Sequence, residues 1–166
     1  MTATKNNSIF KKLGALVMAM CLTCALAVSA SAAGEGTYSV TVQKTDGSAE
    51  SMASAAIVGT ATVSAVTEGY KVTIPLEPAT ITKMGIDFTG YIIDFSVNGA
   101  SDCSVTTAPY TQGSAEMSFV VDSLPADMTF AVTYDVAIYW PNGSYFCNHS
   151  DFPGTPDLIS SNIILS

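Results

Sequence analysis

One histidine, fourteen carboxylates and four cysteines are the chemistry-bearing side chains of this 166-residue sequence, few enough to weigh one by one. His149 sits in an irregular, proline-bounded stretch, and no serine lies in a Gly-x-Ser-x-Gly setting beside it. A nucleophilic triad needs a histidine oriented by a carboxylate, and nothing in the spacing singles out a partner for this one, Asp151 included. Glycoside hydrolysis needs two matched carboxylates, and no pair stands apart from the rest. No His/Cys cluster has zinc spacing, and no Asp-x-Asn-x-Asp loop marks calcium. The residue types therefore point away from an enzyme.

The first 32 residues read as an address. Lys5, Lys11 and Lys12 form a basic start, residues 13–30 are an apolar run, and Ala30-Ser31-Ala32 supplies the small-residue cleavage pattern. Cleavage after Ala32 leaves one domain, residues 33–166, without a further apolar span, and a secreted, extracellular location. The chain has no arginine, so this domain carries Lys44, Lys71 and Lys83 against fourteen acids, a balance near −11. Such a body is repelled by phosphate backbones and by anionic membrane surfaces. Cys103 and Cys147 remain after cleavage in an oxidising compartment. Their spacing leaves open one disulfide or two free thiols, because sequence does not place two Cα atoms within bridging reach.

Alternation dominates the elements that must position any site. Tyr38, Val40 and Val42 share a face, as do Tyr70, Val72, Ile74 and Leu76. Tyr91, Ile93, Phe95 and Val97 follow in phase before an Asn98-Gly99 hairpin turn. Cys103 and Val105 continue in the return strand; Met117, Phe119 and Val121 form the next. The longest run puts Met128, Phe130, Val132, Tyr134, Val136, Ile138 and Trp140 on one face, and "NIILS" closes the chain. About eight strands at short spacing predict an all-β fold, an immunoglobulin-like antiparallel β-sandwich. The exception is "ESMASAAIVG", which predicts a short helix over residues 51–57 directly after the first strand.

That order of strand, Ser51-Met52 helix, strand, glycine and strand resembles the near-iron transporter (NEAT) domain, a haem-binding β-sandwich of Gram-positive cell surfaces. "PATITKMGIDFTGYIIDFSV" is similar to that family's middle strands, and "MSFVVDSLPADMTFAVTYDVAI" to its penultimate strands with their Leu-Pro connection. The resemblance spans residues 36–166. It implies haem or a related tetrapyrrole as ligand, a role in iron acquisition, and other haem-carrying surface proteins as exchange partners. It also implies that Ser51 holds a propionate and that Met52 lies against the ring, a use its soft thioether suits.

The family's Tyr-x-x-x-Tyr pair on the last strand is missing from "ISSNIILS". An iron donor must then come from the segment 139–149, with Tyr139 and His149 as candidates, or as a thioether from Met52. Tyr134, Tyr139 and Tyr145 complete the expected haem-binding set. Trp140, Tyr145 and Phe146 also suit a sugar ring, so the alternative reading is a glycan- or protein-binding surface module.

Overall fold

The computed structural model describes residues 34–151 and 158–166, without the Met52 side chain. The predicted leader, residues 1–32, lies outside this range. Ten strands form: β1 Gly36–Lys44, β2 Thr60–Val66, β3 Gly69–Leu76, β4 Ala79–Lys83, β5 Ile86–Val97, β6 Ala100–Val105, β7 Ala115–Val121, β8 Thr129–Tyr139, β9 Tyr145–Asn148 and β10 Ile159–Leu165. Every pairing is antiparallel. The order is β4-β5-β8-β10-β1-β2-β3-β7-β6, with β9 also on β8. The all-β expectation holds.

A split in β1 curls this sheet. Gly36–Ser39 pair with β2, whereas Val40–Lys44 pair with β10. The curl brings β7 against β5 and β8, where the Phe119 ring meets Phe130 at 5.2 Å and Phe95 at 6.4 Å between centroids. Val72, Ile74, Leu76, Met117, Phe119, Val132, Tyr134 and Ile163 are sealed in this core. Burying such side chains contributes about 1.5–3 kcal/mol each.

The strand count exceeds the expected eight because two strands carried weak signals. β4 is short and closes on β5 through Met84-Gly85, with φ of 53° and 78°. That is the two-residue turn usually marked by Asn-Gly or Gly-Gly, and a methionine hides it. β9 is only four residues long, too short for alternation to show. The predicted phase of β5 also needs correction. A bulge between Ile92 and Asp94 places Ile92, not Ile93, on the buried face with Phe95 and Val97.

The predicted helix is a single 3-10 turn, Met52–Ala55, with Ser51 as N-cap. Its small side chains let it settle against the sheet: Ala53, Ala56 and Ile57 are buried, and Ile57 bridges to Leu76. A second 3-10 turn, His149–Asp151, follows β9 and was not foreseen.

Candidate binding site

Three hydroxyls join the Ser51 turn to the sheet. The Tyr134 hydroxyl of β8 lies 3.0 Å from Ser51 Oγ and 2.6 Å from Ser161 Oγ of β10. Ser161 Oγ in turn donates to Ser51 Oγ at 2.7 Å. The ring closes if Ser51 donates to Tyr134 and Tyr134 to Ser161, so each hydroxyl donates once and accepts at least once. Ser51 Oγ also accepts from the Ala53 N–H at 3.4 Å, a loose cap bond. Ser51 is 5% exposed, and Tyr134 and Ser161 are 0% exposed. Burial pushes the Tyr134 pKa up, opposed by the Ser161 and Ser51 hydroxyls, so the phenol stays protonated near neutrality.

The expected groove between the Ser51 turn and the β8–β10 pair is therefore filled at this level. A propionate would have to displace Tyr134 and Ser161 to reach Ser51. Sequence reading missed Ser161, although its phase with Ile163 and Leu165 carried the signal. A serine on an inward strand face is a buried polar group that requires a partner.

The β8–β9 hairpin builds a second assembly from opposite faces of β8. Tyr139 pairs with Tyr145 in register, their rings 5.7 Å apart. Tyr91 of β5 meets Tyr139 edge-on at 5.1 Å, and Tyr110 meets Tyr91 at 4.9 Å. The Tyr110 hydroxyl accepts the Ile92 N–H at 3.0 Å, which fixes this row beside the bulge. Trp140 points the other way, with Phe88 at 5.0 Å and Phe146 at 4.6 Å. The turn is tied by Asn142 Oδ1, which accepts from Ser144 N–H at 3.0 Å and Ser144 Oγ at 2.7 Å.

The 3-10 turn after β9 is pinned by a buried carboxylate. Asp135 Oδ1 accepts the Ser150 N–H at 3.1 Å, and Oδ2 accepts the Ser150 hydroxyl at 2.6 Å. His149 is half-buried in this turn. The predicted set thus divides: Ser51 meets Tyr134, Tyr139 meets Tyr145, and β8 separates the two groups. The Met52 side chain lies outside the described part of the structure. No group of three or more His, Cys, Asp or Glu side chains able to hold a metal ion occurs among the described residues.

Cys103, exposed on β6, and Cys147, half-buried on β9, are both free. The bridge that sequence left open is absent because β6 ends one edge of the sheet order, whereas β9 joins the opposite half through β8. Two surface depressions lie elsewhere. One of about 660 Å³ is lined by Glu68, Lys71, Asp102 and Cys103 among others, and one of about 340 Å³ lies beside Asn98 and Phe130. Neither is lined by any of the predicted haem-binding residues.

Under the Ser51 turn the three buried hydroxyls already satisfy one another, so Ser51 Oγ is engaged within the protein. On the outer hairpin surface Tyr145 is 54% exposed beside Tyr139, whereas Nδ1 of the half-buried His149 is sealed from solvent. No helix among the described residues is long and apolar enough to cross a membrane. No family model, curated protein or solved structure matches the chain.

Proposed function

We propose that the chain is a secreted, non-enzymatic binding module of immunoglobulin-like sandwich shape, and that it takes haem or a related tetrapyrrole against the β8–β9 hairpin. The observation that carries this reading is the tyrosine row of the β8–β9 hairpin, where Tyr145, 54% exposed, stands 5.7 Å from Tyr139 and Tyr139 stands 5.1 Å from Tyr91 between ring centroids. Tyr145 and Tyr139 would offer ring faces, with Tyr139 or His149 as iron donor; the group itself would supply haem's iron chemistry. Ser51 and Tyr134 then brace the hairpin's supporting strand. Exchange with other haem-carrying surface proteins is part of the same proposal.

A second reading is favoured by the position of the tyrosine row. Tyr91, Tyr139 and Tyr145 line neither of the two surface depressions, and small-molecule sites are usually concave. A glycan or protein partner suits an aromatic row outside a depression. Haemin titration followed in the Soret region separates the two. The haem reading predicts a shifted band that saturates by tens of micromolar, roughly −6 to −7 kcal/mol, and weakens in Tyr139→Phe or His149→Ala. A spectrum identical to free haemin leaves the glycan or protein reading.

A further inference from the structure

Four of the large apolar side chains that remain exposed belong to two hairpin turns. Met84 and Ile86 flank the β4–β5 turn at 102% and 41% exposure, and Tyr145 and Phe146 follow the β8–β9 turn at 54% and 38%. Thr89 of β5 pairs with Tyr139 of β8, so the start of β5 runs beside the end of β8. Both turns therefore leave the same end of the sheet. Phe88 joins them, 5.0 Å from the Trp140 ring and 5.8 Å from Phe146.

Of the three non-glycine residues at positive φ, Met84, Asp102 and Met128, Met84 is the exposed apolar one. Its φ of 53° is left-handed, a conformation that costs a non-glycine residue roughly 1–2 kcal/mol and that Asn or Gly would adopt more cheaply. A strained, fully projecting thioether does nothing for the fold. Strain kept at a surface tip points to use there.

We propose that these two turns form a peripheral lipid-surface site that inserts Met84, Ile86 and Phe146, with Trp140 at the headgroup level, into a neutral bilayer. Three properties select a membrane over a protein pocket. Met84, Ile86 and Phe146 stay exposed at the end of the sheet and line neither surface depression, and a fluid bilayer accepts such groups without a complementary cavity. Trp and Tyr beside an apolar tip have the composition of a membrane–water interface. Charge selects the lipid: Lys83 and Asp87 are the only charged residues in 82–88 and 140–146, so the tip is neutral. The rest of the domain, with two lysines and thirteen acids, is repelled by anionic headgroups. The inference does not rest on haem binding, because it uses the opposite face of β8 from Tyr139.

Trp140 is the only tryptophan, so it reports directly. Protein recovered from the medium of an exporting host is titrated with phosphatidylcholine vesicles, with and without phosphatidylglycerol, and followed by Trp140 emission and vesicle flotation. The expected result is a blue shift and co-flotation with phosphatidylcholine, weakened by phosphatidylglycerol. Met84→Asn and Ile86→Ser should each lower partitioning about tenfold, the factor for one lost side-chain insertion. Met84→Asn should keep or raise the urea midpoint, which separates lost binding from lost folding. No partitioning, partitioning that these variants leave unchanged, or binding that requires the anionic lipid overturns the proposal. A blue shift that grows with protein concentration in the absence of lipid also overturns it, assigning the tips to a second copy of the chain.

Discussion

Tyr134→Phe removes one oxygen from the buried hydroxyl ring and leaves the ring face in place. Ser161 still donates to Ser51 at 2.7 Å, but the Ser51 proton loses its acceptor in a site sealed from water. One unsatisfied buried donor costs about 1–3 kcal/mol, so a loss of about 2 kcal/mol is expected. Ser161→Ala strands one proton in the same way and should cost a similar amount. Ser51→Ala also removes the cap on Ala53, adding about 0.5 kcal/mol, the low end for a cap with so long a bond. The triple variant Ser51→Ala/Tyr134→Phe/Ser161→Ala is the informative one. It leaves no hydroxyl without a partner, so it should cost about 3 kcal/mol or less, well under the sum of the singles. Urea unfolding of the four variants, with unchanged m values, measures this. Single losses within about 0.5 kcal/mol of the parent, typical of surface sites, or a fully additive triple variant, would refute the ring.

Gly69→Ala should abolish folding or cost about 3 kcal/mol or more: a Cβ there would lie 2.2 Å from the Val121 carbonyl oxygen and 2.8 Å from Asp122 Cα, at a φ of +128°. Thermal unfolding of the variant checks it, and a melting temperature near the parent's contradicts the close approach. Burial pushes the Tyr110 pKa up to about 12, and Tyr134 is also raised. A phenol with a raised folded-state pKa contributes stability below its unfolded value of 10.0 and loses it towards about 12. Unfolding free energy should therefore fall over that window, and fall less in Tyr110→Phe. Alkylation of the native protein should find two reactive thiols, Cys103 first. Cys147 should lag because burial, then Asp151 and Asp135, raise its pKa; an absence of free thiol would restore the disulfide.

Period-two alternation made most of the core legible. Val72, Ile74 and Leu76, and Met117, Phe119 and Val121, are buried as their phase required. It failed where one residue breaks the count. The bulge at Ile93 exchanges the faces of half of β5, and no local sequence signal marks it. At the site, Ser51 was legible because a cap before small residues is a local pattern. Its partners were not, since Tyr134 and Ser161 come to it from 83 and 110 residues away. The separation of Tyr134 from Tyr139 follows from strand parity alone. The hairpin's grip on the second turn, through Asp135 and Ser150, needed the three-dimensional register.

Amide hydrogen exchange of the protein, with and without haemin, tests the central claim most directly, because it asks both whether the ligand binds and where. The account predicts slowed exchange across the β8–β9 turn and the His149–Asp151 turn, with the Ser51-capped turn already slow before haemin is added. Unchanged exchange throughout, or protection confined to the depression at Glu68, Lys71 and Asp102, would contradict it.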